Sequence, residues 1–149
     1  MTIARVILSE SSGRWAFALR SVLANSGVVV TEVAGLKNAF RRLRDDSHAL
    51  LAFEATEACA EGGLELLHAN RMRDPGSGVI VLLDTLTAPS ESVWHEAGVI
   101  AVAASPRHLA AMARLIRRYF DTRDTPPLTF REAVWQRIPW SESELKSKI

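Results

Sequence analysis

The sequence contains little cysteine and no long apolar run, and both absences narrow the class of protein. Cys59 is the single cysteine among 149 residues, which excludes an intrachain disulfide and fits a reducing compartment. No apolar run approaches the roughly 20 residues that a membrane-spanning helix requires. The N-terminal residues become polar too soon for a secretory signal peptide. The sequence therefore predicts a cytoplasmic protein that does not associate with a membrane.

An excess of charge of either sign is also absent. The chain has 18 basic and 17 acidic residues, which give a formal net charge of +1. A charge so close to zero supplies no general attraction to nucleic acid or to an anionic membrane. The apolar content of 48% is ordinary for a globular protein, and the length is sufficient to bury a substantial core. We therefore expect a folded domain with protein partners and no nucleic-acid partner.

The residue types that build metal centres and nucleophilic sites are few and scattered. The four histidines, His48, His68, His95 and His108, lie on different predicted elements and lack the spacing of metal ligands. Cys59 has no CxxC partner, and no GxSxG motif marks a nucleophile on a tight turn. The sequence therefore predicts no metal, no cofactor and no enzymatic activity.

What the sequence does contain is an alternation of short apolar runs with helical patterns. The apolar runs are typical of strands and cover residues 3–8, 28–33, 48–53, 79–83 and 99–103. Apolar residues at helical spacing follow each run, at residues 13–26, 36–43, 64–72, 89–97 and 105–120. Several runs are apolar throughout, as in strands that are covered on both faces. This alternation predicts an α/β fold with a doubly wound parallel sheet and helices on both faces.

Two of the helical patterns predict particular buried faces. The apolar stripe of the third helix passes through Leu64, Leu67 and Met72. The last helix begins at Ser105-Pro106, where serine caps the helix and proline takes its first position. Its predicted buried face consists of Leu109, Met112, Ala113, Ile116 and Phe120.

The chain changes character after the last of these helices. Residues 121–127 form a polar linker with two prolines, so the sequence predicts a domain over residues 1–121 and an extension over residues 122–149. Thr129 and Glu132 have the spacing of a capping box that opens a short helix. The apolar and aromatic side chains of this helix and its end are Phe130, Ala133, Val134, Trp135, Ile138 and Trp140. So short a helix is marginal alone, and it either packs on its own domain or docks on a partner, which is a second copy or another protein.

Several short sequence motifs follow one another in an order that is characteristic of a known family. They are Arg-Val-Ile-Leu at residues 5–8, Gly-Leu-Glu-Leu-Leu at 63–67, Arg-Asp-Pro at 73–75 before Val-Ile-Val-Leu at 79–82, and Glu-Ala-Gly at 96–98. In this order the chain resembles the receiver domain of bacterial response regulators over about four-fifths of its length. The resemblance implies a flavodoxin-like sheet of five strands in the order 2-1-3-4-5.

The resemblance also implies a phosphate-accepting pocket, and the matching residues lack its chemistry. A receiver holds Mg²⁺ with an acidic pair after strand one and accepts phosphate on an aspartate after strand three. It also carries a hydroxyl after strand four and a lysine before a proline after strand five. The matching positions here are Ser9 and Glu10, one of Phe53, Glu54 and Ala55, then Leu83, and finally Ser105 before Pro106. The resemblance therefore implies a degenerate pseudo-receiver, a phosphorylation-independent signalling or scaffolding module that works through protein contacts.

Glu54 has two interpretations. A glutamate at the acceptor position imitates the charge of a phosphorylated aspartate and fixes an active-like conformation. Alternatively, Glu54 is a solvated carboxylate at the end of a strand.

The turn Ser-Glu-Ser-Ser-Gly at residues 9–13 supports an alternative function. Ser9, Ser11, Ser12 and Gly13 lead into a helix N-terminus beside the point where the strand order reverses. Open α/β sheets bind ligands at that point, and a helix N-terminus suits a phosphate. The alternative is therefore a module that binds a small anion, a nucleotide or a flavin. The simpler interpretation is that the serines cap the first helix.

A candidate interaction surface follows from the exposed faces of the last two helices of the domain and from the extension. Its members are Trp94, Arg114, Arg117, Arg118, Trp135 and Trp140. Trp94 also suits a core position, and arginines on a helix are commonly solvated. This surface is where we expect contacts with a protein partner or within a homodimer.

Overall fold

The computed structural model describes residues 3–83, 91–124 and 130–137. Within these ranges the strands are Arg5–Ser9 (β1), Val29–Glu32 (β2), Ala49–Ala55 (β3), Val79–Leu83 (β4) and Ala101–Ala103 (β5). The helices are Arg14–Val22 (α1), Leu36–Asp45 (α2), Ala60–Arg73 (α3), Glu91–Glu96 (α4), Leu109–Asp124 (α5) and Phe130–Arg137 (α6), with a 3₁₀ turn at Pro106–His108. None of the helices in these ranges has the length and apolar content needed to cross a membrane.

The five strands form one parallel sheet in the order β2-β1-β3-β4-β5, as predicted. Each side of the sheet buries its own apolar cluster. One cluster includes Trp15 and Leu19 of α1 and Ile116 of α5, and the other includes Phe40 of α2 and Leu67 of α3. Helices therefore cover both faces, which explains why β4 is apolar throughout and why β3 is apolar from Ala49 to Phe53.

Two predicted boundaries change in ways that matter for the site. The predicted third strand ends at Phe53, whereas β3 continues to Ala55. Phe53, Glu54 and Ala55 are therefore paired strand residues, with Glu54 beside Leu82 of β4. At the other end of the domain α5 continues to Asp124, so the first residues of the predicted linker are helical. The predicted capping residue Thr129 lies outside the described residues.

The buried face of α5 is as predicted, but that of α3 is partly wrong. Leu109, Met112, Ala113, Ile116 and Phe120 are all buried.

Met72 of α3 is 76% exposed, although its predicted position is on the buried stripe. It lies five residues after the buried Leu67, which places it about 140° away around a helix of 3.6 residues per turn. Met72 therefore points to solvent, and the stripe toward the sheet ends with Leu67.

The C-terminal part of α5 is attached to the turn before β4 by Tyr119. The Tyr119 hydroxyl oxygen accepts a hydrogen bond from the backbone N–H of Gly78 at 2.8 Å and another from Arg123 at 2.8 Å. Arg123 also donates to the carbonyl oxygen of Gly76. A Cβ atom on Gly78 would lie 2.7 Å from the Tyr119 ring, so this close approach requires glycine.

This attachment predicts a loss of stability in alkaline solution. Burial raises the pKa of Tyr119 above its ordinary value of 10.0, and the Gly78 and Arg123 donors offset part of that rise. Because the folded state holds the phenol proton more tightly, the stabilisation is complete below pH 10.0 and is lost as the pH rises through the folded pKa. Tyr119 is the single tyrosine, so phenolate absorbance reports its titration directly.

We expect a titration midpoint above 10.0 in the folded protein and a return toward 10.0 in denaturant. The Tyr119→Phe variant should lose this part of the pH dependence of unfolding. A folded midpoint at or below 10.0 would contradict the burial argument.

Candidate functional site

At the C-terminal ends of β3 and β4, successive side chains lie on opposite faces of the sheet. Phe53 is fully buried on the face covered by α2, α3 and α4. Its ring centroid lies 6.0 Å from that of Phe40 and 5.7 Å from that of Trp94, in an edge-on arrangement with the latter. Ala55 and Leu83 belong to the same apolar cluster. Among the three candidate acceptor positions, two are therefore core residues.

Glu54 points away from that cluster and makes the central contacts of the site. Its carboxylate oxygens accept hydrogen bonds from the hydroxyl groups of Ser11 at 3.0 Å and Ser12 at 2.7 Å. Glu54 is only 7% exposed, so the interpretation as a solvated strand-end carboxylate is wrong. The physical reason is that β3 is longer than predicted and the turn after β1 folds over its end. We call the contact among these three residues the Ser–Glu clamp.

Glu10 occupies the N-terminus of α1. Its two carboxylate oxygens accept the backbone N–H groups of Trp15 at 2.9 Å and Ala16 at 2.8 Å. Gly13 immediately precedes the helix with a φ of 76°, a left-handed conformation that glycine adopts without strain, and makes no side-chain cap. The interpretation that serines cap this helix is therefore wrong, because Glu10 satisfies two N–H groups that the helix leaves unpaired.

These contacts weigh against an external anion on the turn at residues 9–13. The hydroxyl protons of Ser11 and Ser12 are directed at Glu54, and the first N–H groups of α1 are directed at Glu10. An added phosphate would lose these donors and would meet two carboxylates, which repel it. The geometry therefore does not favour the anion, nucleotide or flavin interpretation.

Ser9 and Ser105, the other predicted pocket residues, have structural roles in the fold. Ser9 is 9% exposed and lies beside Phe53 across the β1–β3 ladder. The Ser105 hydroxyl oxygen accepts the backbone N–H of Arg107 at 3.3 Å and so caps the 3₁₀ turn, as the sequence predicts for a cap at this position.

The donor set does not fit Mg²⁺. The resemblance in sequence implies a cluster of acidic oxygens, but both oxygens of Glu10 and of Glu54 already accept hydrogen bonds from the protein. Across residues 3–83, 91–124 and 130–137, no group of three histidine, cysteine or acidic residues is placed to hold a metal ion.

Cys59 belongs to the site, and sequence reasoning missed it. Its thiol donates to the carbonyl oxygen of Glu54 at 3.3 Å. The sulfur also accepts the backbone N–H of Thr56 at 3.3 Å and the Thr56 hydroxyl at 3.2 Å. These bonds close the turn from β3 into α3. A lone cysteine gives no spacing signal, so nothing in the sequence pointed to this contact.

The candidate interaction surface is only partly at the surface. Trp94 is fully buried against Phe53, so its core interpretation is confirmed and its place on the interaction surface is wrong. α4 is short, and its one large aromatic side chain fills the space beneath the sheet. Arg114, Arg117 and Arg118 are exposed on α5. Trp135 is 46% exposed on α6, and Trp140 lies outside the described residues.

A groove runs along the exposed side of α5 near its C-terminal end. Its volume is about 500 Å³, and we call it the α5 groove. The residues that line it are Gly76, Ile100, Leu115, Arg118, Tyr119, Thr122 and Arg123. Its lining is mostly apolar, and Arg118 and Arg123 are among the lining residues.

Comparison with protein-family models and with curated proteins returns no match. Solved structures do match. A CheY-like receiver domain protein from Methanospirillum hungatei is 18% identical with a TM-score of 0.60, over 82% of this chain and 99% of that one.

Two further solved structures match with similarly low identity and similar coverage. The signal receiver domain of a putative LuxO repressor from Vibrio parahaemolyticus is 14% identical with a TM-score of 0.63, over 81% and 95% of the two chains. A response regulator from Thermotoga maritima is 19% identical with a TM-score of 0.62, over 79% and 99%. At these identities the likeness establishes the fold, and the chain adopts the CheY-like receiver fold.

Proposed function

We propose that this chain is a pseudo-receiver, a receiver-fold domain that transfers no phosphate and acts as a signalling or scaffolding module through protein contacts. The observation that carries the proposal is the Ser–Glu clamp. The carboxylate at the end of β3 is 7% exposed and both of its oxygens are bound by hydroxyl groups of the chain itself.

The chemistry of phosphoryl transfer explains why this arrangement is unsuitable. A carboxylate that attacks phosphorus must reach the phosphodonor, and a cation must neutralise the charge of the transferred group. Here Glu54 is covered by the turn after β1, and its neighbours Phe53 and Leu83 are apolar. Ser105 stands where receivers have lysine, so the positive charge at that position is missing as well.

The clamp has a structural role in this proposal. A hydrogen bond to a charged group contributes about 1.5–3 kcal/mol, more than a neutral one, so the two serines hold the turn firmly against β3. Glu10 fixes the other end of the same turn at α1. The conformation of this turn is then set by residues of the chain and does not depend on a phosphate. Imitation of a phosphorylated aspartate by Glu54 stays a prediction.

The proposed partner is a protein, either another chain or a second copy. The net charge of +1 gives no general reason for nucleic acid. Exposed apolar side chains on α1, α5 and α6, including Phe17 at 79% and Phe130 at 86%, provide surfaces for protein contact. A cytoplasmic location remains an expectation from the sequence.

Exposure to a small phosphodonor and Mg²⁺ tests the proposal. We expect the intact mass of the protein to stay unchanged, because the acidic residue nearest the acceptor position is buried and bound. A receiver domain with an acceptor aspartate, treated in parallel, should gain one phosphate and shows that the donor is active.

The Glu54→Gln variant is the matched control, because it keeps the size of the side chain and removes its nucleophilic charge. A phosphate on the unaltered chain that is absent from this variant would overturn the proposal. A phosphate on both would lie on another residue, and it would contradict the statement that the domain takes up no phosphate.

A further inference from the structure

Helix α2 concentrates positive charge on a chain that is almost neutral as a whole. Its ten residues include four basic side chains and one acidic side chain, which give the helix a formal charge of +3, whereas the whole chain carries +1. The four basic side chains, all of them exposed, are those of Lys37, Arg41, Arg42 and Arg44. The positive charge of this helix is therefore not balanced on the helix itself.

Three of these side chains lie on one flank of α2. Lys37, Arg41 and Arg44 are spaced by four and three residues, so they lie one above another along the helix. We call them the α2 basic stripe. Arg44 also lines a groove between α2 and α3, so the stripe runs along the side of α2 that is next to α3. Arg42 lies about 160° from Arg44 around the helix and belongs to the opposite flank.

The groove lies between the C-terminal halves of the two helices, and we call it the α2–α3 groove. It has a volume of about 110 Å³ and is lined by Phe40, Arg44, Leu66, Ala69, Asn70 and Arg73. The side-chain amide N–H of Asn70 donates to the hydroxyl oxygen of Ser77 at 2.7 Å, so the charged donors at the groove are the two arginines. Apolar side chains and two guanidinium groups therefore meet at one small concave site.

Neither guanidinium group has a carboxylate partner in the part of the chain that the structure describes. The ion pairs found there join other residues. Arg44 and Arg73 line the same small groove, so their like charges repel each other and an anion between them is favoured. A carboxylate suits this position, because its two oxygens accept parallel N–H groups from a guanidinium group.

We propose that the α2–α3 groove and the α2 basic stripe bind an acidic helical segment of a protein partner. The inference rests on the proposed function and gives the chemistry of its protein partner. The stripe covers seven residues of helix, or about 10.5 Å. Carboxylates spaced by four and three residues on a partner helix repeat that spacing. An apolar side chain between them meets the apolar lining of the groove.

Two features favour an acidic protein segment over nucleic acid. Phe40, Leu66 and Ala69 give the groove an apolar lining, which a phosphate backbone does not use. Glu61 and Glu65 are exposed on the N-terminal half of α3, so a long polyanion that follows the two helices meets negative charge there. An acidic segment of two helical turns fits beside the stripe without reaching that half of α3.

Fluorescence anisotropy of a labelled peptide with the full chain tests the proposal. The probe is an alanine-based helical peptide with three glutamates spaced by four and three residues and one leucine on the same side. The matched probe has glutamine in place of each glutamate. We expect the glutamate peptide to bind at low salt and the glutamine peptide to bind roughly tenfold more weakly or less.

Charge reversal on either helix should disrupt the site. Arg44→Glu and Arg73→Glu should each raise the dissociation constant of the glutamate peptide by roughly tenfold or more. Arg42→Glu is the matched control, because it makes the same charge change in the same last turn of α2 but on the opposite flank. It should change the dissociation constant by no more than about twofold. Ala69→Trp fills the groove and keeps every charge, so it should also weaken binding.

The outcomes separate the groove from general charge attraction. Equal binding of the two peptides, or equal losses in Arg42→Glu and Arg44→Glu, would overturn the proposal. An unchanged dissociation constant in Ala69→Trp would place the contact outside the groove and would overturn it as well. A single-stranded DNA of equal charge that binds more tightly than the peptide would assign the surface to nucleic acid instead. None of these outcomes alters the phosphodonor result, so this proposal and the pseudo-receiver proposal fail separately.

Discussion

Replacing Phe53 with aspartate should unfold the protein rather than restore a phosphate acceptor. Phe53 is fully buried between Phe40 and Trp94, and the ring lies close to Gly63, where an added Cβ would be 3.1 Å from it. Loss of a buried phenylalanine costs about 3–5 kcal/mol. An unpaired carboxylate in the same place adds several kcal/mol. The sum is comparable to the whole free energy of unfolding of a typical domain, about 5–15 kcal/mol.

The measurement is far-UV circular dichroism with urea titration of the purified Phe53→Asp variant. Phe53→Leu is the control, because it keeps an apolar side chain and buries no charge, so it should cost far less than Phe53→Asp. A soluble Phe53→Asp variant that unfolds cooperatively and accepts phosphate would show that the position is a masked acceptor. That result would contradict the assignment of Phe53 to the core.

Removing the side chain of Trp94 should have the second-largest effect. Trp94 is fully buried, and its ring meets Phe53 edge-on at 5.7 Å. Trp94→Ala leaves a large cavity beneath β3 and should lower the free energy of unfolding by about 3–5 kcal/mol. The urea midpoint measures this loss, provided that the denaturant slope stays constant.

The Trp94→Phe variant separates the contribution of ring packing to stability from the effect of the indole N–H. The Trp94 Nε1 atom is buried and has no hydrogen-bond acceptor among the described residues. A buried N–H without a partner costs about 1–3 kcal/mol, so its removal offsets much of the lost ring area. We expect Trp94→Phe to be far milder than Trp94→Ala. Equal losses in the two variants would contradict the argument that ring packing stabilises this position.

The fold was predictable because the signals that specify it are local and repeated. Strands covered on both faces have unbroken apolar sequences, and helical spacing follows each of them. The unbroken apolar sequence of these strands also made it impossible to predict which face of the sheet each site residue lies on. In an unbroken run such as that of β3, nothing in the pattern shows whether Phe53 or Glu54 points to a given face, because alternation is what normally reveals it.

The contacts of the site could not be predicted from the sequence for a different reason. Ser11 and Ser12 lie 43 and 42 residues from Glu54, and each pairing depends on the path of a turn. Glu10 was predicted as the remnant of a metal-binding pair, yet its position before Gly13 lets it reach the N–H groups of α1. The sequence drew attention to these residues but could not show their hydrogen-bond partners, because side-chain partners are set by tertiary geometry.

The Ser–Glu clamp also has a consequence for how the signalling output of this protein is regulated. A receiver that switches reports the state of an upstream kinase within each molecule. With its turn after β1 held by Glu10 and Glu54, this domain presents the same surface at all times under the proposed function. Its output then varies with the number of copies in the cell, so the rates of synthesis and degradation become the control points.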